Sequence, residues 1–138
     1  MRRKFFYLLS FTWGAPTSLV GALVCALLIA CGAEPSRHGH CVYFKLPWIS
    51  GGFNLGWLFL TGSRPSEHTL DHELGHGYQN CILGPFFTVI TLMSLARYHY
   101  RTMKRKLCPR ASLPDYDSVW FEGWASRLGR AAMRRDEV

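Results

Sequence analysis

The chain has 138 residues, a formal net charge of +7, and 49% hydrophobic and 14% aromatic residues. That length suits one domain with a modest core. Five scattered cysteines (Cys25, Cys31, Cys41, Cys81, Cys108) without CxxC spacing exclude a zinc ribbon and supply no disulfide framework.

Residues 5–32 carry no charged side chain, enough helix to cross a hydrocarbon layer of roughly 30 Å. The run is about twice the length of a signal-peptide core and too long for the lipoprotein box that "LIAC" resembles. "MRRK" ahead of it places the N-terminus on the cytoplasmic side by the positive-inside tendency. Because "WGAP" with Pro16 interrupts the run, residues 1–32 are expected to form a membrane anchor, as one kinked span or as a hairpin. Residues 33–138 are expected to form a single metal-binding domain. Its first element is a β-hairpin over 41–61, from the strand-like runs "CVYFKL" and "FNLGWLFLT" flanking a Pro/Ser/Gly turn.

A helix over 67–83 follows, N-capped by Ser66 and stopped or sharply bent at Gly84-Pro85. An apolar helix over 86–96 is too short to span alone. A basic loop over 97–114 holds six of the sixteen basic residues, with no acid between Arg97 and Arg110. Such a run suits anionic lipid, and no base-reading motif accompanies it, so lipid and not nucleic acid is the expected partner. A last helix over 116–135 contains "VWFEGWA". The expected fold class is α+β, mainly α.

The chemistry concentrates in "HELGH", His72 to His76. Residues four apart share a helix face, so His72 and His76 can point at one ion, while Glu73 stands aside as a general base. Zn2+ is the ion this pattern suits. His68 lies on the same face, but eight helical residues span about 12 Å, too far for three ligands to converge. His38 and His40 fall in a loop, and Asp71 diverges from the ligand face. Glu122, set among aromatic residues, is a carboxylate that needs a cation, and it is the expected third ligand. Tyr78, Tyr116, His99 and Arg97 are the candidate transition-state donors. The function expected from these residues is a membrane-bound zinc-dependent hydrolase, in the first instance a peptidase acting on an extended peptide or membrane-protein substrate. A structural metal staple is the competing reading, and a membrane-active basic peptide a third.

"HELGH" followed by "FEGWASRLG" resembles the gluzincin arrangement of membrane-bound CAAX-type prenyl proteases, whose second motif is E-x-x-A-D. The resemblance implies Glu122 as the third zinc ligand and Ala125 in the Ala position, and it departs at Ser126, where Asp would stand. Over most of the chain, "TWGAPTSLVGAL", "GGFNLGWLFLT", "HELGHGYQNCILGPF", "ARYHYR" and "YDSVWFEGWASRLG" resemble a set of small bacterial membrane proteins whose shared pattern carries no established reaction. Relatives tend to have proline where this chain has Met93. The implied location is the bacterial cytoplasmic membrane. If Glu122 joins the histidines, the chain must fold back at Gly84-Pro85, and the basic loop then places the metal site on the cytoplasmic side.

Overall fold

A computed structural model describes residues 1–136. Among them the protein is α+β and mainly helical, with one four-stranded sheet. The apolar N-terminal run forms two helices, α1 (Arg3–Phe11) and α2 (Ala15–Ala30), bent by 100° at the Thr12–Gly14 break. Pro16 therefore opens α2, where its missing N–H costs nothing, and does not kink a continuous span. Nor is 1–32 a detached anchor. Phe6 is fully buried against Leu74, and Val24, Cys25 and Leu28 pack on the sheet.

The sheet corrects the expected 41–61 hairpin. Its strands are β1 (Ser36–His38), β2 (Cys41–Lys45), β3 (Gly52–Leu55) and β4 (Leu58–Thr61), in the order β1-β2-β4-β3. β1 and β2 are antiparallel, β2 and β4 are parallel, and β3 and β4 are antiparallel. The "FNLGWLFLT" run thus folds on itself. Gly56 adopts φ 80° at the first central position of a two-residue turn, and its N–H donates to Asn54 Oδ1 at 2.7 Å. β2 is buried on both faces. Cys41 and Tyr43 meet α1 and the HExxH helix, while Val42 and Phe44 meet α2. This is why "CVYF" lacks a clean alternation. β3 is left as a sheet edge.

The HExxH helix, α3 (Glu67–Leu83), is the central element, with an unbroken buried stretch from His72 to Gly77. Ser66 Oγ caps it by accepting from the Thr69 N–H at 3.1 Å. Gly84 ends it at φ 57°, against the Trp13 ring, where a side chain has no room. After a 3-10 turn, α4 (Phe87–Leu107) begins. α4 runs through most of the expected basic loop, because Arg, Lys and Met are good helix formers and Lys104, Arg105 and Lys106 suit a helix C-terminus. The loop proper starts at Cys108.

Glu67–Leu107 is long and apolar enough to cross a membrane by length and composition, yet it is not one rod. Ser94 and His76 both bond the Glu122 carboxylate, whereas 18 residues of straight helix would hold them about 27 Å apart. The chain does turn back at Gly84-Pro85. A 3-10 turn (Tyr116–Ser118) then precedes α5 (Trp120–Asp136). Gly75 and Gly129 let α3 and α5 touch backbone to backbone, Gly75 against the Ala125 carbonyl and Gly129 against that of Asp71. This crossing sets the position of Glu122.

Candidate metal centre

His72 and His76 are successive turns of one face of α3, and Glu122 enters from the first turn of α5. All three are buried, with Glu122 fully so. Glu122 Oε2 lies 3.1 Å from His72 Nε2 and 3.0 Å from His76 Nε2, and the two Nε2 atoms are 3.2 Å apart. Bonds of 2.0–2.1 Å set at the tetrahedral angle separate ligand atoms by about 3.3 Å, so this triangle fits one small divalent ion. It is a group that can hold a metal ion.

The hydrogen bonds around His76 say what the triangle needs. Gln79 Nε2 donates to the Phe121 carbonyl at 2.7 Å, which turns its Oε1 toward His76 Nδ1, also at 2.7 Å. An amide oxygen only accepts, so His76 Nδ1 carries the proton. In the neutral ring, Nε2 then presents a lone pair to a carboxylate oxygen. Two acceptors at 3.0 Å repel unless a cation, proton or metal, sits between them. The charges behave accordingly. Burial opposes ionisation of Glu122, but bonds from His72, His76 and Ser94 outweigh it and hold its carboxyl well below the usual range. Burial works against a charged His72 too, and the Glu122 carboxylate overcomes it, raising the imidazole above its ordinary value. A site that attracts a proton this way attracts a metal ion by the same charge.

Glu73 is buried beside this group and takes no part in the triangle. Its carboxyl lies against β3 where Gly52 has no side chain, and its Oε2 has no hydrogen-bond partner within the protein. Burial pushes its carboxyl above the usual value, and His76 and His72 pull it partly back. Asn54 Nδ2 donates to the Glu73 carbonyl at 2.8 Å, tying the edge strand to the same turn of α3. A cavity of about 250 Å³ opens over His72, Glu73 and His76, with Trp48, Ile49, Phe87, Ile90 and Leu95 giving it apolar walls. A second cavity, of about 420 Å³, shares His72, Glu73 and Tyr116 with the first and is bordered by Arg101 and Arg105.

The candidate donors separate clearly. Tyr116 lines both cavities, its ring 6.0 Å from that of His72. Burial, reinforced by the charges of Glu122 and Glu73, pushes its phenol up, so it remains a proton donor. His99 lines the apolar cavity. Tyr78 is not in the site: it faces the other side of α3 and packs on Phe6 and His40. Arg97 is engaged elsewhere, one terminal nitrogen donating to the carbonyls of Asp115 and Tyr116 and to Ser118 Oγ. His68 stays outside the triangle, half-exposed and 3.4 Å from Asp117, and Asp71 is taken by His38 at 2.8 Å.

Four further residues surround the triangle, of which Ser126 is marked in the sequence only as the departure from E-x-x-A-D. Ser94 donates to Glu122 Oε1 at 2.7 Å, Ser126 meets His72 Nδ1 at 2.8 Å, Asp117 meets Ser126, and Gln79 orients His76. Gln79 leaves a local signal as well, three residues after His76 on the same helix face. The chain matches no protein-family model, no curated protein and no solved structure.

Proposed function

We propose that the protein is a membrane-associated zinc hydrolase, most directly a peptidase, with His72, His76 and Glu122 holding the ion and Glu73 as general base. The observation that carries this reading is the pairing of a metal-sized triangle with a buried, unpartnered carboxylate oxygen at the floor of an open cleft. A structural staple explains the triangle but gives no reason for either Glu73 or the cleft. Bound zinc supplies a Lewis acid and makes a water more acidic. Glu73 takes the proton of the attacking water and passes it to the leaving amine. Tyr116 donates a hydrogen bond to the charge that develops on the carbonyl oxygen.

β3, as a sheet edge beside Glu73, offers backbone groups to an extended substrate by strand addition. The apolar walls take a hydrophobic side chain at one end of the cleft, and Arg101 and Arg105 favour a negative group at the other. A bilayer is the proposed setting because the outer faces of α2 and α4 form one apolar surface. Leu19, Leu23 and Leu27 are exposed on α2, and Val89 and Leu92 on α4, with Phe86 on the 3-10 turn before it. Thr17 and Thr88, 3.1 Å apart, join the two helices. The basic end of α4 suits anionic headgroups, and the cytoplasmic face of the bacterial inner membrane is the proposed side.

The test is cleavage of extended peptides by a carbonate-washed membrane fraction containing the protein. Cleavage is expected there, lost on chelation and restored by zinc. Cleavage indifferent to chelation, or found only in the soluble fraction, contradicts the proposal.

A further inference from the structure

A carboxylate from the 3-10 turn before α5, that of Asp117, reaches toward His72 through Ser126. Ser126 Oγ lies 2.8 Å from His72 Nδ1 and 2.9 Å from Asp117 Oδ2. A carboxylate only accepts, so the serine proton points to Asp117 and the serine oxygen is left to accept from His72. The chain of donors then runs in one direction, from His72 Nδ1–H to Ser126 to Asp117, and leaves His72 Nε2 as the nitrogen available to a metal ion. Ser126 is 1% exposed, so this contact is shielded from water.

Asp117 is held in place from two sides. Gly123 lets its carbonyl approach α5, where a Cβ would meet it at 2.7 Å. On the other side Arg97 bonds the carbonyls of Asp115 and Tyr116 and the Ser118 hydroxyl, and Arg101 bonds the Pro114 carbonyl. Both guanidinium groups also lie over the Tyr116 ring, at 5.5 and 5.6 Å.

We infer that Asp117, acting through Ser126, is the positioning residue that fixes His72 as the Nδ1–H tautomer, and that Arg97 anchors the loop that delivers it. This inference rests on the metal reading above. Outer partners of this kind change metal affinity by roughly 10–100-fold.

The experiment measures zinc affinity of the full chain by competition with a chromogenic chelator, beside NMR of the metal-free protein. Asp117→Ala is expected to weaken zinc binding roughly 10–100-fold. Adding Ser126→Asp to that variant puts a carboxylate directly on His72, in the space vacated, and is expected to restore most of the loss. Unchanged affinity in Asp117→Ala, or a double variant no better than the single, overturns the inference. Wild-type NMR stands independently of whether the variants fold: a proton on His72 Nδ1 is expected, whatever Nε2 carries, and an unprotonated Nδ1 overturns the inference. Failure of the wild type to bind zinc would sink the metal reading itself, while the tautomer still reports on Asp117.

Discussion

Glu73→Gln is expected to lower peptide hydrolysis by roughly 10²–10⁴-fold while leaving zinc content and fold intact. The amide keeps the size of the carboxylate and so keeps the packing against Gly52, where the absent Cβ makes room for it. What disappears is the ability to take a proton. Glu73 is not among the three ligand residues, so the ion loses no donor. The checks are the turnover rate on a matched peptide and zinc stoichiometry on the same sample. Equal turnover in the variant means that another group is the base, or that the cleavage belongs to a contaminant. Loss of zinc together with activity would instead place Glu73 among the ligands.

Gly75→Ala is expected to destabilise the protein by about 3 kcal/mol, at the upper end of overpacking costs, and to weaken zinc binding in parallel. Helix propensity alone argues the other way, since alanine favours a helix over glycine by about 1 kcal/mol. The sign is therefore informative. A Cβ on Gly75 meets the backbone carbonyl of Ala125, which cannot rotate aside like a side chain, so α3 and α5 must separate. Glu122 lies one turn before Ala125 and moves with it, away from His72 and His76. Because folding stability is typically about 5–15 kcal/mol, such a loss is visible as a fall in Tm of roughly 10 °C. A variant with raised Tm and full zinc affinity would show that α3 and α5 are not in backbone contact. Gly129→Ala, against the Asp71 carbonyl, is the parallel case at the other end of the crossing.

What the residues disclose in advance follows the range of the forces involved. The helix over 67–83 is marked locally by Ser66, by the "HELGH" spacing and by Gly84, and it forms between those bounds. Glu122 is legible because a carboxylate among aromatic residues demands a partner, and the only economical partner is an ion shared with the histidines. The fold-back at Gly84-Pro85 follows from that same demand. The sheet is a different matter. The pairing of β2 with β4 is parallel and joins residues sixteen apart across β3, which no period of two announces. Basic residues from Arg97 onward read as a loop by charge, yet their straight side chains are as helix-competent as the apolar ones before them. Asp117 and Ser126 meet His72 only after α5 has docked, and the sequence shows merely that a motif aspartate is replaced by serine. Tyr78 fails as a donor for the opposite reason: its neighbour relation to His76 on the chain places it on the far face of α3.

The claim on which everything else depends is that His72, His76 and Glu122 share one metal ion. The direct measurement is elemental analysis of the purified full chain beside Glu122→Ala, with circular dichroism to establish that both are folded. One zinc per chain is expected in the wild type, and a folded Glu122→Ala protein is expected to lose most of it. Full zinc in Glu122→Ala, or none in a folded, zinc-exposed wild type, would contradict the claim.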